Sequence, residues 1–245
     1  MKELYKRLYQ DCAQSEAFKQ DAHFVSMRGV FYNDNKKKLL LIGRAPNGWG
    51  SLLTANADAF AEDAQRQFND VHRFNWIESV NGTLYSTHDR QNKNRYCIDT
   101  KPFWYYAREI WHALPGEAKD YYIWTENIAW SNLYKVSPAQ SDNPSSESMI
   151  MQRPTCIDIL KRELEYYAPT HILLLTGYDW FAPFSVVFED VIDTGKRNVM
   201  RGASKNEDYV EATARYHDAK VVVACRPEQR DKAGFVEAVV NAFGK

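Results

Sequence analysis

Four apolar runs dominate the hydrophobic pattern of the chain, and each is short enough to form a single strand. They are KLLLIG (38–43), ENIAWSNLYK (126–135), HILLLTG (171–177) and KVVVAC (220–225). The first, third and fourth runs are almost continuously apolar, which is typical of strands that are covered on both faces. The pattern therefore predicts a buried β-sheet built around these four segments.

Helical patterns lie before, between and after the predicted strands. An opening helix within residues 2–20 carries Leu4, Leu8 and Cys12 on one stripe. Three further helices are predicted at 102–114, which starts with a proline, at 155–168, between a capping Thr155 and Pro169, and at 232–243. Strands that alternate with helices favour a largely parallel sheet with helices on both faces.

Two long polar stretches, residues 51–100 and 137–153, fall outside this alternation. Loops of this length in a compact domain are usually functional or disordered. The segment FVSMRGVFY (24–32) is either the end of a helix or a short edge strand, and the pattern leaves both open. Because there is no repeat and no clear boundary, we predict a single domain over 1–245, with an N-terminal helical extension (about 1–35) and a long insert (about 51–100).

The composition is that of an ordinary globular protein, with 44% apolar and 26% charged residues. No apolar run approaches the roughly 18 residues that a membrane span needs, and the N-terminus resembles neither a signal nor a transit peptide. The four cysteines, at 12, 97, 156 and 225, form no CxxC pair and match no zinc, iron–sulfur or disulfide pattern. We therefore expect a cytoplasmic protein with reduced structural thiols, no cofactor, no metal and no membrane partner. The sequence leaves the oligomeric state open.

The net charge of −1 gives no global basic excess, which proteins that bind duplex DNA non-specifically usually have. A local basic face could still come from Lys93, Arg95, Lys101 and the segment 196–205, although solvated loops are the simpler explanation. Aromatic residues are abundant, with seven Trp, fifteen Tyr and twelve Phe. This abundance leaves candidates for stacking on a flat ligand in addition to those that fill the core.

The ends of the four predicted strands carry the candidate chemistry. In an open parallel sheet, ligands bind beyond the carboxyl ends of the strands. The run after the first strand is GRAPNGWG (43–50), in which Gly43 permits a close backbone approach and Pro46 stiffens the turn. Exposed amides in this loop could bind a carbonyl or an anion. The alternative is an ordinary strand-to-loop corner.

Taken in order, these strand ends resemble the motifs of the uracil-DNA glycosylase superfamily, above all the bacterial and archaeal branch that often carries an iron–sulfur cluster. GRAPN (43–47) stands where that branch has Gly-Glu-x-Pro-Gly, and WSNLYKVSP (130–138) matches the Asn, Lys and Pro spacing of its middle motif. A cysteine-containing helix, a proline and a strand ending in Gly follow at 156–177, and CRPE (225–228) takes the place of a final His-Pro-Ser motif. The resemblance implies a three-layer α/β/α fold with a central four-stranded parallel sheet.

The resemblance also implies a pocket for a flipped base, which stacks on an aromatic ring while a side-chain amide pairs with its edge. In the family, a carboxylate or an ordered water assists a cation-like sugar, and a donor stabilises the leaving base. By position, the resemblance gives catalytic roles to Asn132, Asn47 and Arg226. It gives substrate-binding roles to Gly43, Arg44, Ala45, Pro46, Trp49, Tyr134 and Gly177.

Three departures from the family pattern bear on activity. Arg44 replaces the acid of the first motif, and a protonated guanidinium can neither act as a general base nor balance a cationic sugar. Arg226 replaces the histidine of the last motif but can still donate to an anionic oxygen. Cys156 and Cys225 are too few for a cluster that takes four thiolates.

Several candidate residues have simpler alternative explanations. Asn132 could cap a turn, and Trp49 could be a rim or core residue. Arg44 and Arg226 could form an anion site, or each could be salt-bridged, Arg44 to an acid of the insert and Arg226 to Glu228 or a nearby acid. Weaker candidates are Tyr85, Phe103 and Trp104 for stacking, with helix core as the default for the last two, and His88, Asp89 and Asp99 as a replacement acid.

Three functional hypotheses follow. The first is a divergent glycosylase-like protein that binds a nucleobase, a nucleotide or a nucleic-acid end, with standard uracil excision weak or absent. The second is an active DNA base glycosylase, a hydrolase of N-glycosidic bonds, that acts on a different lesion with a non-standard catalytic set. The third is a binder or enzyme for a small molecule unrelated to DNA, which would show no salt-dependent binding to oligonucleotides.

Overall fold

The structure is a computed structural model that describes residues 1–13, 21–47, 51–52, 56–74, 101–116, 124–140, 142–197 and 208–244. Its α-helices in these ranges are α1 (Lys2–Cys12), α2 (Ala57–Asn69), α3 (Pro102–Ala113), α4 (Ser146–Tyr167), α5 (Tyr178–Phe181) and α6 (Lys232–Ala242). Short 3-10 helices lie at Tyr32–Asp34, Trp124–Asn127 and Ala182–Val187. None of these described helices combines the length and apolar character that crossing a membrane requires.

The strands form two sheets. They are β1 (Asp21–His23), β2 (Met27–Arg28), β3 (Leu39–Gly43), β4 (Ser51–Leu52), β5 (Ile128–Asn132), β6 (Val136–Pro138), β7 (His171–Leu174), β8 (Glu189–Asp193), β9 (Val210–Tyr216) and β10 (Ala219–Ala224). The main sheet has the order β2-β5-β3-β7-β10-β9-β8, and β4-β1-β6 form a small second sheet. In the main sheet the neighbours β5, β3, β7 and β10 pair in parallel, and β2, β9 and β8 add antiparallel edges.

The α/β class predicted from the pattern is confirmed, and each of the four apolar runs contains a strand. The sheet is mixed and has seven strands, so it is larger than the expected four. The extra strand β8 lies at the edge and is mostly exposed, and β9, between β10 and β8, mixes polar with apolar residues, so neither shows the continuous apolar run of the central strands. The undecided segment 24–32 contains β2, an edge strand that pairs with β5.

The fourth helix begins earlier than the pattern predicts. Its N-cap is Ser145, whose side chain accepts a hydrogen bond from the backbone of Ser148, so the proposed cap Thr155 lies inside the helix. Pro154 also lies inside α4. Because a proline and a Ser-rich stretch favour a loop, the first turns of α4 were predicted as part of the loop 137–153. The predicted C-terminal boundary is correct, since α4 ends two residues before Pro169.

The opening helix predicted within residues 2–20 is α1, which ends at Cys12, and residues 14–20 lie outside the described residues. The polar insert 51–100 contains α2, which packs on the first helix through Tyr9 and Phe60, whose ring centroids lie 5.4 Å apart. Exposed charges on α2, such as those of Asp58 and Glu62, make the segment polar overall, while its buried face is apolar.

Helices cover both faces of the main sheet because alternate strand residues point in opposite directions. Leu40, Ile42 and Leu174 face a core shared with α1, α2 and α4. Leu41 and Leu173 face a second core that α3 and α6 complete. The two buried faces explain why the central strands are continuously apolar.

The described cysteines Cys12, Cys156 and Cys225 are buried free thiols, as expected for structural residues. Burial raises the pKa of both Cys156 and Cys225 to about 12, so these thiols stay protonated at neutral pH. Cys97 lies outside the described residues.

Candidate functional site

A cavity of about 170 Å³ opens at the carboxyl edge of the central strands, where the end of β5 and the segments after β3, β7 and β10 meet the first turn of α3. This is many times the 10–15 Å³ or so that a single water needs. Its lining contains three charged residues, two arginines and one glutamate. The lining residues are Gly43, Arg44, Ala45, Pro46, Asn47, Phe103, Trp104, Trp130, Asn132, Asn143, Leu175, Arg226, Pro227 and Glu228.

Most of the residues proposed from the sequence come together in this cavity. The loop after β3 contributes Gly43 to Asn47, and the ends of β5 and β10 contribute Asn132 and Arg226. Parallel strands end at the same edge of a sheet, so chain segments that are distant in sequence meet here. Trp49 lies outside the described residues.

Two of the proposed substrate-binding residues do not line the cavity. Tyr134 is buried, and its ring packs edge-on against those of Trp180 and Phe184, with centroid distances of 5.7 and 5.1 Å. Its ring is therefore part of the hydrophobic core. Gly177 has a φ of 76° and precedes α5. Its missing Cβ leaves space beside the guanidinium of Arg44 and the carboxylate of Glu211, so its role is to let the chain turn at that point.

Gly43 makes room for the side chain of Asn132. The two residues are register partners in β3 and β5, and a Cβ built on Gly43 would lie closer than 3.0 Å to Asn132 Oδ1. The same Cβ would lie 3.5 Å from the ring of Phe103. The group that approaches the backbone of Gly43 closely is therefore the side-chain amide of Asn132. The sequence analysis had suggested that a ligand would occupy this place.

Asn132 and Trp130 place two unpaired donors in the wall of the cavity. Asn132 is only 2% exposed and Trp130 only 5%. Within the described chain, neither Asn132 Nδ2 nor Trp130 Nε1 has a hydrogen-bond partner. Buried donors are normally paired, so this pair of donors marks the place where a ligand acceptor would be stabilised.

Aromatic rings form one side of the cavity. Pro102 opens α3 and is followed by Phe103, which is half-buried, and by Trp104, which is buried. The ring of Trp104 packs edge-on against that of Trp130, with centroids 4.7 Å apart. Sequence reasoning did not single out Trp130, although its position two residues before Asn132 on the same strand places both on one face.

Arg44 lies half-buried across the ends of the strands. Its Nε donates to the backbone oxygen of Thr176 at 2.6 Å, and its guanidinium carbon lies 5.0 Å from the ring centroid of Trp180. Desolvation, together with the positive charge of Arg226, lowers the pKa of Arg44 to about 10. The side chain therefore stays cationic at neutral pH.

Arg226 is paired with Glu228, as the salt-bridge alternative predicted for this residue. Its Nε donates to Glu228 Oε2 at 3.0 Å, and its Nη2 contacts Glu228 Oε1. Both side chains are partly exposed. Glu228 thus brings a carboxylate to the cavity. The sequence analysis had named Glu228 only as a salt-bridge partner of Arg226.

A buried ion pair supports the loop after β5. Lys135 Nζ lies 2.9 Å from Glu163 of α4 and also donates to the backbone oxygen of Asn132 at 2.6 Å. Ser131 Oγ bonds both partners, accepting from Lys135 and donating to Glu163. Gln152 accepts hydrogen bonds from the backbone of Lys135 at 3.0 Å and so ties the same loop to α4. These contacts hold Asn132 at the edge of the cavity.

The remaining candidates from the insert, Tyr85, His88, Asp89, Lys93, Arg95 and Asp99, lie outside the described residues. Among the residues that are described, no group of three or more His, Cys, Asp or Glu could hold a metal ion.

The fold and the cavity define an α/β protein with a small polar site, walled by aromatic rings, at the carboxyl edge of its central strands. No protein-family model matches the chain, and no curated protein matches it either.

Proposed function

We propose that the cavity binds a nucleobase, as part of a nucleotide or a nucleic-acid end, and that the protein is a divergent uracil-DNA glycosylase-like protein. The observation that carries this proposal is the buried amide nitrogen of Asn132, a residue of the cavity lining, which has no hydrogen-bond partner among the described residues. A side-chain amide offers a donor and an acceptor to the edge of a base. Phe103 and Trp104 line the cavity with apolar ring surface against which a base can pack.

The arrangement of the strands supports the same proposal. The parallel neighbours β5, β3, β7 and β10 include the four segments from which the resemblance was drawn. Three of the four motif positions meet in the cavity, through Arg44, Asn132 and Arg226. A three-layer glycosylase-like fold requires this convergence.

Standard uracil excision is expected to be weak or absent. At the position where the family has its acid, the cavity has the guanidinium of Arg44, which repels a cationic sugar. A gel assay on uracil-containing single- and double-stranded DNA measures the activity. Turnover near that of an ordinary glycosylase would overturn this part of the proposal.

Replacing Asn132 with alanine is expected to weaken base binding about tenfold or more, because the paired amide hydrogen bonds are lost. Titration calorimetry with a panel of nucleobases, nucleotides and short oligonucleotides measures the change. The matched control is Asn241→Ala, at an exposed position on α6, which should bind like the parent protein. Equal binding by Asn132→Ala would remove the support for a base site, and a panel without any binder would favour a different small molecule.

Glu228 favours a second candidate function, excision of a lesion other than uracil. In this reaction water adds to C1′ of the sugar, the N-glycosidic bond breaks, and the proton from water goes to the base. The carboxylate of Glu228 lines the cavity and could orient the water, while Arg226 could stabilise the leaving base.

If that candidate is correct, Glu228→Gln should lower excision by at least about tenfold, with Glu237→Gln on the exposed side of α6 as the control. The measurement is a screen of oligonucleotides that contain hypoxanthine, xanthine or alkylated bases. A panel without any cleaved substrate would rule the candidate out.

A further inference from the structure

We infer that the cavity selects a base whose ring or sugar carries an oxyanion, a ring carboxylate or a phosphate, and that Arg44 is the residue that recognises it. The inference rests on the proposed function, because it names the class of ligand for the same site. It is carried by the donors of the cavity, by the fixed geometry of Arg44 and by the charge of the lining.

Two buried donors of the lining residues remain for a ligand. Asn132 Nδ2 and Trp130 Nε1 are buried and have no partner among the described residues. Asn132 Oδ1 lies over Gly43, at a distance that leaves no space for a Cβ. A ligand that satisfies the two donors must bring acceptor atoms, so a base rich in carbonyl oxygens fits better than one with amino groups.

Arg44 adds a fork of donors in a fixed position. Its Nε is held by the backbone oxygen of Thr176, and the ring of Trp180 lies against its guanidinium. Within the described chain, only this Nε of Arg44 has a hydrogen-bond partner, which leaves the two terminal amino groups for a ligand. A guanidinium held in this way is preorganised for two parallel hydrogen bonds to an oxyanion.

The charges around Arg44 favour the same ligand. The charged lining of the cavity is Arg44, Arg226 and Glu228, and Glu228 is bonded to Arg226. Glu211, the buried acid near Arg44, accepts a hydrogen bond from the backbone of Tyr178 at 2.6 Å. Glu211 and Glu228 offset part of the charge of Arg44, but among the described residues no acid is bonded to its guanidinium, so an oxyanion on the ligand can make that direct contact.

The test compares two pairs of ligands that differ by one anionic group. Uracil is paired with its 6-carboxylate, and uridine with uridine 5′-monophosphate, each titrated by calorimetry into the full chain. We expect the anionic member of at least one pair to bind about tenfold or more tighter than its neutral partner. A difference within the uracil pair indicates that the site recognises a ring carboxylate, and a difference within the uridine pair indicates that it recognises a phosphate.

Arg44→Gln should abolish this preference while the neutral member still binds, and Arg162→Gln, at an exposed residue of α4, should retain it. Equal affinity within both pairs overturns the inference and leaves the base site standing. If none of the four ligands binds, both the inference and the proposed function fail. Should Arg44→Gln fail to fold, which circular dichroism detects, the two ligand pairs decide the matter on the unchanged protein.

Discussion

Lys135→Met is expected to lower the free energy of unfolding by about 3–5 kcal/mol, because it leaves the carboxylate of Glu163 buried without its cation. Both side chains of this ion pair are fully buried, and Ser131 bonds them both. Urea denaturation followed by tryptophan fluorescence measures the loss. An effect on ligand binding should accompany it, because Lys135 also holds the backbone oxygen of Asn132.

The double variant Lys135→Met/Glu163→Leu is the informative control. An ion pair replaced as a whole by apolar residues of similar volume often leaves stability unchanged, so the double variant should recover most of the loss. Lys161→Met, at an exposed position on α4, should have little effect. A single variant within about 1 kcal/mol of the parent protein would contradict the importance of the pair.

Gly43→Ala is expected to weaken ligand binding by about a hundredfold, because the new methyl group displaces the Asn132 amide and crowds the cavity wall. The effect should exceed that of Asn132→Ala, since the displaced amide not only loses its hydrogen bond but also occupies space in the cavity. Calorimetric titration with the tightest ligand of the panel measures it. Circular dichroism should show that the fold is retained.

A double-variant cycle tests whether this effect acts through Asn132. In the Asn132→Ala background the methyl group of Gly43→Ala meets no amide oxygen, so it should add little to the loss of binding. Fully additive losses would show that Gly43 and Asn132 act independently, contrary to their contact across β3 and β5.

The strand and helix pattern predicted most of the elements that build the site. The segments that contain β3, β5, β7 and β10 are apolar because both faces of the sheet are covered, and this burial is visible in the sequence. The helices α3 and α6 carry a clear apolar pattern and were predicted to within a residue or two. The first turns of α4 were missed because they lie in a Ser-rich stretch before Pro154, which favours a loop. The whole of α2 was missed because its exposed charges make the segment polar overall.

The contents of the cavity could be predicted only in part. Arg44, Asn132 and Arg226 were found because each ends or follows a strand, and the ends of parallel strands meet at one edge of the sheet. Trp130 and Glu228 were not proposed as site residues, since a tryptophan inside a strand and a glutamate in a loop have ordinary structural explanations. Tyr134 does not line the cavity, because the chain turns after Asn132 and directs its ring into the opposite core, against Trp180 and Phe184.

The sequence by itself determined which segments form the central strands and which side chains follow them, because burial and chain punctuation are local properties. Only the tertiary structure decided which of those side chains share a cavity and which donors there are unpaired. It also decided that Arg226 has a bonded acid, whereas the terminal amino groups of Arg44 have none among the described residues. These outcomes depend on distances between residues that are far apart in the chain, and such distances are set by how the strands and helices pack.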